Sequence, residues 1–362
     1  MSEQSQNPYV GLPETAFWKR AVAAHNPLEI SQLWQPKFPV ARKRKVITAG
    51  SCFAQHFSRA LVARGYGWLD AEPAPKLLSD DQARAFNYGI FSFRTGNIYT
   101  ARMLLQWLSY AFDDVAPPDE VWEKEGRFYD PLRPGIEPDG FASPEELTAS
   151  RLSTLEAIRA AVLDADVFVF TMGLTECWRA RDSGFEYAMC PGTMAGRFDP
   201  ERHEFVNQRF VGIRRDMRSA LKILRRVNPK LNVLLTVSPV PLTATASGEH
   251  VLTATSHSKS VLRAVAGEVA ADFDHVDYFP SYEIITHPAY RGMFYAPNQR
   301  SVVPQGVNHV MESFFACQHQ AFPWLARQSK RSGQGGGATT AVARAASERA
   351  VKCDEEFLNA FG

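Results

Sequence analysis

Two adjacent nucleophile-capable residues, Ser51 and Cys52, follow Gly50 where an apolar run gives way to a helical pattern. A hydroxyl or thiol on such a turn lies at the N-terminus of the helix. Unpaired N–H groups and the positive dipole end there favour a thiolate or a developing oxyanion. That is the geometry of a nucleophile elbow, and the chemistry it suits is acyl transfer. His56 lies four positions after Cys52, on the same helix face, where an imidazole serves as general base or merely packs. The plainer alternative is a tight turn in which Gly50 bends the chain and Ser51 caps the helix. His309, in Gly306-Val307-Asn308-His309-Val310, is the second candidate base; His250 and His287 are weaker ones.

Four further polar groups could complete such a site. Asn87-Tyr88-Gly89 and then Arg94-Thr95-Gly96-Asn97 offer oxyanion donors and a cation for a carboxylate, phosphate or sugar. Gly173, Thr175 and Glu176 follow the apolar run at 166–171, and Ser238 follows the one at 231–237.

The elements that must position these groups alternate. Lys45 to Ala49 reads as a buried strand, 53–64 as a helix closed by Gly65, and 98–112 as another helix. Residues 113–143, dense in Pro, Asp and aromatics, read as a surface insertion that shapes a pocket rim. Ser143-Pro144 opens a helix to about 163. Strands at 166–171, 231–237 and 276–285 then alternate with helices at 207–227, 258–273 and 305–320. This pattern predicts a mostly parallel sheet covered on both faces. In such a sheet ligands bind beyond the carboxyl ends of the strands, and the polar motifs after the strands at 45–49, 166–171 and 231–237 fall there. Residues 1–44 read as an arm wrapped on the domain, 45–325 as the domain, and 326–362 as a flexible tail.

Composition narrows the function classes. The 362 residues carry 40 Lys+Arg and 39 Asp+Glu, so no global field points to nucleic acid or an anionic membrane. The run Arg42-Lys43-Arg44-Lys45 reads as a solvated flank. No stretch is long enough to span a bilayer, and the polar start has no apolar leader core. Five scattered cysteines make no disulfide framework and point to a reduced, cytoplasmic setting. With no CxxC pair and no HExxH-type spacing, neither a metal nor another cofactor is expected. The expected partner is a small-molecule or glycan substrate, with acyl-CoA as one candidate donor.

Five segments, in order, carry a family resemblance. These are Gly50-Ser51-Cys52-Phe53-Ala54, Phe91 to Thr100, Gly173 to Trp178, Val237-Ser238-Pro239-Val240-Pro241 and Tyr278 to Ile284. Together they resemble the GSCFA family of bacterial proteins over roughly 45–320. That family is similar in turn to the SGNH (GDSL-type) hydrolases, which implies a flavodoxin-like three-layer α/β/α sandwich. By the same resemblance Cys52 takes the place of the SGNH serine and Ser51 that of the preceding aspartate. Thr175 and Glu176 replace Asn and Asp, and Gly89 or Gly96-Asn97 supplies the second block. Asn298 and Ser301 stand where Asp-x-x-His is expected, so His309 or His56 would have to substitute. The resemblance implies an esterase or acyltransferase acting on an acylated carbohydrate or small ester. A catalytically degenerate protein that binds a glycan or nucleotide-like ligand is the alternative.

Overall fold

Short apolar runs and longer amphipathic ones alternate along the chain, and each takes the form its period dictates. In the computed structural model, which describes residues 7–331 and 353–361, β1 (Lys45–Gly50) leads through α1 (Ala54–Ala63) to β2 (Gly67–Trp68). Next come α2 (Asp80–Ala85), α3 (Ala101–Phe112), a hairpin of β3 (Trp122–Lys124) and β4 (Arg127–Tyr129), α4 (Pro144–Asp164) and β5 (Val167–Met172). A second hairpin, β6 (Glu176–Ala180) and β7 (His203–Asn207), precedes α5 (Phe210–Val227), β8 (Asn232–Val237), α6 (Val251–Asp272) and β9 (Val276–Tyr278). The helices α7 (Ser281–Thr286), α8 (Pro304–Ala321) and α9 (Pro323–Arg331) follow.

The sheet runs β2-β1-β5-β8-β9, with every neighbouring pair parallel. Strand order reverses between β1 and β5, which opens a crevice at their carboxyl ends. Side chains alternate between two cores. Ile47, Ala49, Phe168, Phe170, Val233 and Leu235 pack with Trp107, Leu155, Met217 and Leu262 of α3 to α6. Val46, Val167, Val169 and Leu234 pack with Phe57 of α1 and Phe314 of α8 on the other face. This is the expected three-layer α/β/α sandwich, each large buried side chain contributing about 1.5–3 kcal/mol. Among the described residues, no helix is long and apolar enough to cross a membrane.

The structure departs from expectation at several places. The helix expected from 98 begins at Ala101, where the extended Thr100 caps it and its side chain accepts the Met103 N–H. The strand expected over 276–285 stops at Tyr278, because Pro280 has no N–H for a ladder and the chain turns into α7. The helix expected from 258 begins at Val251, where the His250 ring accepts the Leu252 N–H as an N-cap. Residues 203–207 form an edge hairpin strand, and the following helix starts at Phe210. The insertion at 113–143 is anchored: Asp130 binds Arg133 at 2.9 Å and Arg151 at 2.8 Å, with both Asp130 and Arg133 side chains fully buried.

The arm packs through Ile30, Trp34, Phe38 and Val40 against the α8 face. In the basic run, Arg44 and Lys45 pair with Asp166 and Asp164 at half-exposed positions. Within 326–362, residues 326–331 belong to α9 and 354–361 form a 3-10 segment; 332–352 and 362 lie outside the described residues.

Candidate functional site

Gly50 ends β1 with φ +133°, and a Cβ there would lie 2.4 Å from the Thr171 carbonyl oxygen. Only glycine lets β1 and β5 approach this closely while the backbone swings into the turn. The Ser51 N–H donates to that carbonyl at 2.9 Å, which pins the turn to the sheet. Among the described residues, α1 has no side-chain cap and the buried Ser51 hydroxyl has no hydrogen-bond partner. The plain capping role is therefore not the one Ser51 takes. Cys52 is buried beside it, and its thiol is hydrogen-bonded to the thiol of Cys353. That bond, with burial, pushes the Cys52 thiol well up.

A loop from Gly96 to Thr100 forms the opposite wall. Gly96 takes φ +68°, and the Asn97 backbone N–H and side-chain amide both point at one carboxylate oxygen of Asp354, at 3.3 and 2.9 Å. The buried Tyr99 hydroxyl lies 3.6 Å from the Cys353 sulfur and accepts the Glu355 N–H at 3.3 Å. The Tyr99 carbonyl accepts the N–H of Gly173 at 2.8 Å. A Cβ on Gly173 would lie 2.7 Å from the Tyr99 ring and 3.1 Å from Ser51 Cβ. The motifs at 50–52, 96–99 and 173 thus form one site.

Two cations face this pocket. Lys259 of α6 is buried, donates to the Gly173 carbonyl, and sits within electrostatic reach of Glu355 and Cys52. Burial lowers its ammonium to about 8, against the opposing pull of Glu355. Arg300 reaches the Cys353 sulfur at 3.9 Å and the Glu355 carboxylate at 3.8 Å. Its loop is held by Asn298, whose side-chain oxygen accepts the N–H groups of Arg300 and Ser301. The segment expected to mirror Asp-x-x-His therefore supplies a guanidinium to the site.

The candidate histidines lie elsewhere. His56 is buried against Phe53 with Nδ1 unpartnered among the described residues, and desolvation, with Arg59 nearby, lowers it to about 3. His309 stacks on Phe294 and meets Tyr290 edge-on, with Nε2 unpartnered among the described residues. Neither ring hydrogen-bonds to Ser51, whose hydroxyl has no partner among the described residues, and the thiol of Cys52 bonds to Cys353 instead. His287 caps the turn at 288–290.

Other candidates hold the frame. Asn87 takes φ +60° and donates to the Gly135 carbonyl. Arg94 lies over Tyr88 and is bound to Glu137 and two backbone carbonyls. Thr175 bonds Asn207 and Ser258, while Ser238 accepts the Val240 N–H. Glu176, raised by burial, accepts from Thr245 and lines a cavity of about 600 Å3 beyond Tyr99. Met103, Trp178, Phe198 and Phe205 make much of that cavity apolar, and its buried Glu186 is raised to about 7 by desolvation.

Sequence reasoning missed Lys259, Arg300, Tyr99 and two of the acidic residues of 353–361, Asp354 and Glu355. Lys259 had a legible signal, since it lies three residues before Leu262 and seven before Ala266, on the buried stripe of α6. Segment 353–361 had none, because its contacts span some 250 positions of sequence, as from Asn97 to Asp354.

The GSCFA family model matches residues 45–314. No curated protein and no solved structure matches the chain.

Proposed function

This chain belongs to the GSCFA family, and from its own site we propose that it is an acyl-transfer enzyme with Cys52 as nucleophile. The reading rests on one observation: the backbone N–H and side-chain amide of Asn97 converge on a single anionic oxygen of Asp354, the residue that follows the Cys353 lying against the Cys52 thiol. Two fixed donors on one oxygen next to a nucleophile are what a tetrahedral intermediate requires. In this account Cys52 gives its proton to the neutral Lys259 amine and attacks the acyl carbon, forming a thioester. The oxyanion is held by Asn97, and the Lys259 ammonium returns the proton to the departing alkoxide or thiolate. Water or an acceptor hydroxyl then cleaves the thioester, completing hydrolysis or transfer. Ser51, with its unpartnered buried hydroxyl, is the alternative nucleophile. The cavity lined by Trp178, Phe198 and Phe205 gives room for the acyl group or a sugar ring, in keeping with an acylated carbohydrate or small ester.

Separate C52A and S51A variants, assayed with short p-nitrophenyl esters and acyl-CoA donors, test this reading. Loss of turnover in C52A alone supports it; unchanged turnover in both overturns it.

A second reading is a ligand-binding protein without chemistry. The absence of any imidazole bonded to Ser51 or Cys52 among the described residues favours it. Binding of a glycan or nucleotide-like ligand, with no turnover of any ester, would establish that reading instead.

A further inference from the structure

The segment 353–361 meets the site the way a ligand does. Three consecutive residues each engage the machinery. Cys353 bonds the Cys52 thiol and lies against Tyr99. Asp354 fills the Asn97 donor pair, and its other carboxylate oxygen lies 3.4 Å from where a Cβ on Gly135 would be. Glu355 rests on the Tyr99 hydroxyl and faces Arg300 and Lys259. Farther along, Leu358 and Phe361 line the apolar cavity without filling its roughly 600 Å3.

Burying two carboxylates is costly unless donors and cations already await them. Asp354 is only 9% exposed, and the Glu355 side chain 13%. The site supplies two donors from Asn97 and two cations, all on elements of the 45–314 family region. An ester oxygen alone would not need both Lys259 and Arg300. The segment also presents its groups in a fixed order, an anionic head at the nucleophile and an apolar body over the cavity.

The structure assigns to this cleft a ligand class, a carboxylate-bearing molecule with an apolar body, and makes segment 353–361 its tethered occupant. While seated, the segment shields Cys52 and competes with any free ligand of that class. A tethered competitor acts at a high effective concentration, so a modest intrinsic affinity suffices to keep the cleft filled. The inference takes from the acyl-transfer reading only what the cleft does when vacated. Occupancy itself can be measured without turnover.

The test uses the full chain and its D354A/E355A variant, with the rate of Cys52 alkylation by iodoacetamide read by peptide mass spectrometry. In the variant, alkylation of Cys52 should rise by about tenfold or more, since protection now depends on a segment stripped of its anchors. A synthetic peptide of residues 353–361 carrying C353S, added at millimolar concentration, should restore protection. The same peptide carrying D354N as well should not. Equal alkylation rates in parent and variant would overturn the tethered-occupant inference. Faster alkylation that the peptide fails to slow would overturn the ligand class. Either outcome leaves the acyl-transfer assay to be judged separately.

Discussion

Asn97 holds one oxygen of Asp354 twice, through its backbone N–H at 3.3 Å and its side-chain amide at 2.9 Å. The two residues stand 257 positions apart in sequence. The pairing shows that the Gly96-Asn97 turn presents both donors to one point beside Cys52. N97A removes one of the two donors and keeps the backbone N–H. Esterase turnover should fall about 10²- to 10³-fold, the usual cost of one oxyanion donor, with KM changing far less. A fall confined to KM would make Asn97 a ground-state contact.

Lys259 should set the alkaline behaviour of the reaction. With its ammonium at about 8, the neutral amine proposed to take the Cys52 proton accumulates as pH rises through that value. Turnover in the parent should therefore climb between roughly pH 7 and 9. K259M should lose both that limb and about 10²-fold in kcat. Should K259M keep the same pH profile, Lys259 is not the base.

The pocket rim should depend on a buried ion cluster. Burial alone would raise Asp130, but Arg151 and Arg133 hold its carboxyl below the ordinary range. D130N leaves two guanidiniums buried without that charge, which costs about 3–5 kcal/mol. Urea unfolding should show a lower midpoint with little change in slope. A shift under about 0.5 kcal/mol, typical of exposed sites, would mean the insertion bears no such load.

His56 should make the fold acid-sensitive. Folded, it titrates near 3; unfolded, near 6.5. Between those values the unfolded chain binds the extra proton, so stability falls as pH drops, by about 1.4 kcal/mol per unit. Glu186, at about 7 in the fold, works the other way between its unfolded value and 7. The informative quantity is thus the difference between parent and H56Q. Stability of H56Q should lose less on acidification from pH 6.5 to 4, as read by chemical denaturation. Parallel curves would mean that His56 is charged in the fold.

The layers of the fold were legible because periodicity reports burial. Phe168 and Phe170 face one core and Val167 and Val169 the other, and the apolar run at 166–171 announces a strand covered on both faces. The turn was legible too, since Gly50 followed by Ser51 and Cys52 marks a strand-to-helix bend. The partners of that turn were not. His56 has the helical spacing for contact with Cys52, yet its ring lies edge-on to Phe53. Spacing fixes a helix face and leaves the rotamer to packing. His309 follows the segment that should carry a histidine, but its ring packs on Phe294 and Tyr290 instead. Arg94 looked free to bind an anion; backbone carbonyls and Glu137 already satisfy it. Contacts such as Cys52 with Cys353 arise only when the chain closes on itself, and no local pattern encodes them.

The central claim is that Cys52 becomes acylated, and trapping the intermediate tests it most directly. The chain is mixed with p-nitrophenyl acetate, quenched in acid within the first turnover, and mapped by peptide mass spectrometry. Because segment 353–361 protects the thiol, the D354A/E355A variant is run beside the parent. The account predicts one acetyl group on Cys52, formed faster in the variant, lost on longer incubation at neutral pH, and absent in C52A. An acetyl group on Ser51 alone, or p-nitrophenol release with Cys52 unmodified throughout, would contradict it.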